Sequence, residues 1–235
     1  MPLLGKAVVA IWNDITAEGR ETFIEWHNRE HIPERVAITG FRRGRRYVAE
    51  SGAPEYYTLY EADDGAVLVS DEYLARLNNP TPWTKQATSA FRNTLRGICE
   101  VVTSIGQGDG GHMLTLRFDA VAGRRDELMA HLAGRLADIH RLQGICGAHL
   151  CIADAASSGI ETAERKGRQV DVPNWVVMVE GCSRAAVEEA GRQLPAAMLA
   201  ARGMAGSLES GLYRLEFSLA DAAGDQLHAN GRKES

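Results

Sequence analysis

The chain is poor in cysteine, with four in 235 residues: Cys99, Cys146, Cys151 and Cys182. None belongs to a Cys-x-x-Cys pair or to a His–Cys grouping of zinc-finger type, which argues against a disulfide-built scaffold and a cysteine-ligated structural zinc. Buried free thiols in a reducing compartment are the expectation. Long apolar runs are missing as well, since no stretch approaches the ~18 to 20 residues of a bilayer span. The N-terminus passes almost directly into a strand pattern, so no membrane partner and a cytoplasmic location are expected. Positive charge is not in excess: 26 Lys and Arg face 31 Asp and Glu, for a net charge of −5. That balance argues against nucleic acid as a partner. No Gly-x-Ser-x-Gly elbow is present, and the glycine-rich run at 106–111 precedes a strand instead of a helix, which disfavours serine hydrolysis and nucleotide binding.

What is present reads as an element order that occurs twice. Lys6 to Trp12 alternates as a strand, Thr16 is placed to cap a helix, and that helix runs to about His31, where Pro33 is expected to limit it. Phe41 to Ala49 and Tyr56 to Glu61 form a hairpin pattern, a weaker helix covers Ala66 to Leu77, a helical turn covers Trp83 to Phe91, and Leu95 to Ile105 returns as a strand. After the junction, His112 to Phe118, an amphipathic helix over Arg124 to Leu142, strands at Gly147 to Ala153 and Trp175 to Val179, a helix capped by Ser183 and a last strand at Ser210 to Leu219 repeat that order. The fold class is therefore α+β: two tandem βαββαβ units, residues 1–108 and 109–221, with a polar tail at 222–235 expected to be disordered. Each unit leaves one sheet face uncovered, so the two antiparallel sheets are expected to pack face to face as a pseudo-twofold α/β barrel. The polar segment Asp154 to Pro173, long for a hairpin loop, is expected to be mobile or to lie over a pocket.

The chemistry-bearing residues gather at Trp26 to Tyr47. His27 and His31 are four apart, about 40° on a helix, on the side that carries Phe23 and Ile24. Two imidazoles on the buried face need partners or a ligand. Strand parity separates Arg43, Arg45 and Tyr47 from Arg42 and Arg46, so the arginines do not share one pocket, and most are expected to be solvated.

Within the first 105 residues or so, His31-Ile32-Pro33-Glu34-Arg35, Gly40-Phe41 and Arg45-Arg46-Tyr47 resemble the small EthD-like proteins of the ferredoxin-like dimeric α/β-barrel superfamily. The second half shares only the element order and lacks a His-x-Pro helix ending, so the resemblance places any site in the first half. It implies a small hydrophobic ligand between sheet and helices, but it does not select a chemistry, because the superfamily spans monooxygenases, cyclases, an isomerase and haem enzymes.

Together these readings predict a cofactor-free enzyme using acid/base chemistry of isomerase, cyclase or lyase type on a small hydrophobic carbonyl compound, aromatic or polyketide-like, as in aromatic compound degradation. His27 and His31 are the expected acid/base groups, with Tyr47 or Tyr60 and Arg46 polarising oxygen; Trp12, Trp26, Tyr57 and Trp83 are expected to bind substrate. One alternative is a non-catalytic ligand-binding or stress-related module. Another is a divalent metal on His27, His31, Glu30 and Glu34, serving a lyase or hydrolase; the weighed alternative for these carboxylates is surface pairing with Arg35, Arg43 or Arg46. His27 to His31 also matches the H-x-x-E-H signature of a metalloprotease, but no clear third ligand follows. Haem would need His131, His140 or His149 as an axial ligand and is disfavoured. A homodimer is the one further assembly expected.

Overall fold

Alternation of apolar side chains in one strand after another sorts this chain into an inner and an outer surface, and a ring of eight strands is the result. The computed structural model describes residues 3–167 and 170–221, so the expected disordered tail lies outside the described residues. The first unit is β1 (Ala7–Ile15), α1 (Arg20–Trp26), a π-helical turn (His27–His31), α2 (Ile32–Val36), β2 (Phe41–Gly52), β3 (Tyr56–Ala62), α3 (Asp71–Asn78), α4 (Pro82–Ser89) and β4 (Phe91–Gly106). The second is β5 (His112–Ala120), α5 (Arg125–Ile139), β6 (Ile145–Ala153), the short α6 (Ala155–Ser158), β7 (Trp175–Gly181), α7 (Arg184–Arg192), α8 (Ala196–Ala201) and β8 (Met204–Ala220). No helix among the described residues is long and apolar enough to cross a membrane.

Every pairing is antiparallel, in the closed order β1-β3-β2-β8-β5-β7-β6-β4. Each unit contributes four strands, and the units meet twice, through β2 with β8 and through β4 with β6. Both sheets thereby lose their free edges, and the expected barrel is present with its inner faces opposed. The inner surface takes Trp12, Tyr47, Tyr57, Met113, Met178 and Tyr213 from both units into one cluster. The outer surface is covered by helices, most completely in the second unit, where Leu128, Leu132 and Leu136 of α5 are fully buried on the sheet. Burial of each such leucine contributes roughly 1.5–3 kcal/mol.

Three expectations need correction. Arg43, Arg45 and Arg46 are not solvated but buried, because each meets a carboxylate from another part of the ring. Arg43 forks onto Glu61 at 2.8 and 3.0 Å, Arg45 onto Glu180 at 3.0 and 3.0 Å, and Arg46 bonds Glu216 at 2.8 Å. Burial opposes the charge of Glu180, but Arg45 and His149 outweigh it and hold this carboxyl down at about 2. The cysteines are not uniformly buried either: Cys99 and Cys151 are, whereas Cys182 is exposed and its sulfur lies 3.3 Å from that of Cys146 across the β6–β7 end. Finally, Thr16 precedes a 3₁₀ turn and makes no side-chain capping bond, while Ser183 does cap α7 as expected, accepting from the Ala186 amide.

Candidate functional site

Pro33 does not end the first helix. Proline has no N–H to give to the carbonyl four residues back, and its ring crowds that carbonyl, so the helix widens by one residue before it. The Ile32 amide bonds His27 O, five residues back, and the helix then continues to Val36. Such π turns inside α-helices recur at functional sites. Here the five-residue repeat stacks Trp26 against His31, ring centroids 4.2 Å apart, and leaves His27 and His31 with centroids 5.6 Å apart.

The turn roofs a cavity whose floor is the outer face of β1, β3 and β4. Its free volume is about 50 Å³, and Trp26, His27, His31, Tyr60, Phe23 and Arg35 are among its walls. The polypeptide after α6 closes the far side: Glu164 N bonds Leu77 O at 3.0 Å, and Asp171 pairs with the β4 backbone through Arg96 N at 2.9 Å and Thr94 O at 3.2 Å. The second unit therefore completes a site in the first, and the described part of the segment 154–173 puts Glu164, Arg165 and Val170 in the wall of a pocket, as its length suggested. A groove of about 630 Å³, lined mainly by that segment, shares Arg165 and Val170 with the cavity.

Both nitrogens of His27 are engaged. Nδ1 lies 3.4 Å from Arg46 Nη1 and Nε2 lies 3.3 Å from Tyr60 Oη. A guanidinium only donates, so Nδ1 accepts, Nε2 carries the proton, and Tyr60 Oη is the acceptor with its own hydrogen left to give. Burial, reinforced by the Arg46 cation, pushes the His27 imidazole well below its ordinary range, so it is neutral near pH 7. Burial raises the Tyr60 phenol well above its ordinary value, so it stays a neutral donor. Arg46 is fixed in turn by Asn28 Oδ1 at 2.8 Å and by Glu216.

Of the residues expected at a site, His27, His31, Tyr60 and Trp26 are brought together, with Arg46 behind His27. Tyr47, Tyr57 and Trp12 are not: parity turns them to the barrel interior, where Trp12 stacks on Tyr57 at 4.7 Å and Tyr57 lies 5.6 Å from Tyr47. Trp83 packs against the Phe23 and Trp26 cluster, outside the cavity wall. The metal set also comes apart. Glu30 accepts from Thr81 at 2.6 Å and Thr84 at 3.1 Å, Glu34 faces Arg76 at 3.4 Å, and no group of three ligands among the described residues could hold an ion. These partners also differ from the arginines expected for the two carboxylates. Sequence reasoning missed Asn13, Thr58, Arg96 and Glu164 in the wall. The parity of β1 and β3 was a usable signal for the first two; nothing local pointed to the others.

By sequence, the chain matches no described protein family and no characterised protein. By fold it matches solved structures over nearly its whole length. An anthrone oxidase-like protein superposes with a TM-score of 0.64 at 14% identity, covering 92% of this chain and 93% of that one. The chain has the ferredoxin-like dimeric α/β-barrel fold. A candidate monooxygenase of Fusobacterium nucleatum subsp. nucleatum ATCC 25586 (TM-score 0.59, 8% identity, 93% of this chain and 96% of that one) and one of Lactobacillus acidophilus NCFM (0.57, 7%, 92% and 97%) share this barrel. Identities this low carry the fold and no chemistry.

Proposed function

We propose that this α/β barrel is an enzyme of acid/base type that works without a nucleotide on a small hydrophobic carbonyl compound, aromatic or polyketide-like, whose carbonyl end enters the cavity beneath the π turn. The observation that carries the reading is the hydrogen-bonded series Arg46–His27–Tyr60, which leaves one tyrosine proton available at an apolar wall beside the imidazole of His31. A cavity of 50 Å³ holds a carbonyl group or a few waters. The body of a larger substrate would extend into the adjoining groove, which Thr162, Ala163 and Val172 help to line.

Tyr60 Oη would donate to the substrate oxygen as charge develops there, and His31 would take a proton from the adjacent carbon. His27, with both nitrogens occupied, is a positioning residue for Tyr60 and not the base, and Arg46 positions His27. The resulting enolate accounts for isomerisation when reprotonated, for cyclisation when it attacks a second carbonyl, and for lyase cleavage when it expels a β-substituent. It is also the species that reacts directly with dioxygen, a route that the oxidase and monooxygenase names of the structural neighbours make worth testing.

The test is carbon–hydrogen exchange in D₂O, followed by NMR on acetylacetone and on anthrone, with oxygen uptake recorded in parallel. Exchange faster than buffer, falling by about 10²-fold or more in Tyr60→Phe, is expected. The rival reading, a non-catalytic binding module, is favoured by the occupied nitrogens of His27. Bound compound with exchange no faster than buffer would establish the rival and overturn the proposal.

A further inference from the structure

The cavity wall is unevenly charged. Among its described residues stand three guanidiniums, Arg35, Arg96 and Arg165, against one carboxylate, Glu164. Glu164 is already taken, by Arg35 Nη2 at 2.7 Å. The second nitrogen of that fork, Arg35 Nη1, is buried without a hydrogen-bond partner, on a residue only 2% exposed. Arg96 is 7% exposed, donates to Tyr73 Oη at 3.1 Å, and has no carboxylate within ion-pair distance among the described residues. Tyr73 lies between the two arginines, its ring 5.6 Å beneath the Arg35 guanidinium. Folding rarely buries a cation without a counter-charge, because desolvating it is costly and its donors go unmet. Arg35 has Glu164 as its counter-charge but one donor unmet, whereas Arg96, on the other side of the same phenol ring, has no carboxylate partner among the described residues. The other described residues of the wall are aromatic, aliphatic, imidazole, amide or hydroxyl side chains.

We infer that the compound bound in this cavity carries a carboxylate, received by Arg35 and Arg96 beside Tyr73, with its apolar body leading into the adjoining groove. The inference rests on the proposed location of the ligand site and narrows its substrate class to carbonyl compounds that are also monocarboxylic acids. A carboxylate supplies the two oxygens that a pair of guanidinium donors needs and gives Arg96 a counter-charge, whereas a neutral ketone leaves both costs standing.

The test is an NMR titration of the Trp26 indole N–H, assigned with Trp26→Phe, using acetate against acetamide and benzoate against benzamide in a buffer without carboxylates. The acids are expected to bind saturably and about tenfold or more tighter than their amides. Arg96→Met should remove that preference while leaving the amide affinity in place, and Arg96→Lys should restore part of it. Arg42→Met, an arginine paired with Asp63 outside the cavity, should change nothing. Amides binding as tightly as acids to the natural protein overturns the inference while leaving the ligand site intact, and this arm needs no variant to fold. A Trp26 signal unmoved by all four compounds up to ~50 mM would remove the site itself, and the inference with it.

Discussion

The two units of the barrel are built on the same strand register but treat their outer faces differently. Arg43 stands opposite Glu61 in the first, and Gly147 opposite Glu180 in the second; Arg45 opposite Leu59 corresponds to His149 opposite Met178. By the same correspondence Tyr60 opposite Gly44 becomes Val179 opposite Ala148, and Arg46 opposite Thr58 becomes Leu150 opposite Val177. Where the first unit has a phenol, a guanidinium and a widened helix, the second has branched aliphatics under the regular helix α5. The cavity is therefore not a property of the barrel. It arises from a proline that opens one helix and from polar side chains at two strand positions, where the other unit has aliphatic ones. Gly44 contributes by absence: a Cβ there would meet Ile32 Cγ2 at 2.8 Å and the Tyr60 ring at 3.0 Å.

The comparison is broken most severely at Arg45 and His149, equivalent positions that both face the fully buried Glu180. Arg45→Leu leaves Glu61 and Glu180 with less charge compensation and should cost about 3–5 kcal/mol. His149→Gln, which removes a longer contact of 3.7 Å, should cost about 1 kcal/mol. Chemical denaturation measures both, and equal losses would show that the inner polar cluster does not depend on Arg45. Next comes a reciprocal exchange under the helices. Gly44→Ala should cost roughly 1–3 kcal/mol by overpacking and displace the Tyr60 ring, whereas Ala148→Gly should cost no more than about 1 kcal/mol. A neutral Gly44→Ala would mean that the first helix shifts freely on its sheet.

Acid separates the units more gently. His27 of the first unit has a folded value below its ordinary 6.5, so the unfolded chain binds its proton first and stability falls as pH drops below 6.5. Glu180 of the second has a folded value of about 2 against an ordinary 4.5, so its contribution is intact above 4.5 and is lost between 4.5 and 2. Each window should have a slope of at most about 1.4 kcal/mol per pH unit. In His27→Gln the upper window should shrink to the smaller contribution of His131, whose value is also lowered, and the lower persist; an unchanged slope between pH 6.5 and 5.5 would remove His27 as its source.

Most of the architecture was legible because it is written in local periods. Alternation marked all eight strands, though β8 begins at Met204, six residues before the expected Ser210, and the spacing of Leu128, Leu132 and Leu136 marked α5. Two features were not local. The sequence shows Pro33 as a stop, because whether a helix ends or bulges at proline depends on what holds the residues beyond it; here Ile32 and Val36 are anchored in the core. The arginines read as solvated because their carboxylates come from distant strands: Glu180 is 135 residues from Arg45. For the site, parity already placed Tyr47 on the face opposite Arg46, and grouping them as one catalytic set overlooked that. Arg96 and Glu164 reach the cavity only through the tertiary course of β4 and of the segment after α6.

The closure of the ring by β2 with β8 and β4 with β6 has an evolutionary consequence. When two identical subunits form such a ring, every substitution arrives twice, so a polar residue that opens one cavity opens its mirror image and loosens both halves together. Joined in one chain, the halves inherit changes singly. A hollow beneath the helix of one half therefore need not be copied in the other, and the far wall of the hollow in this chain comes from the other half.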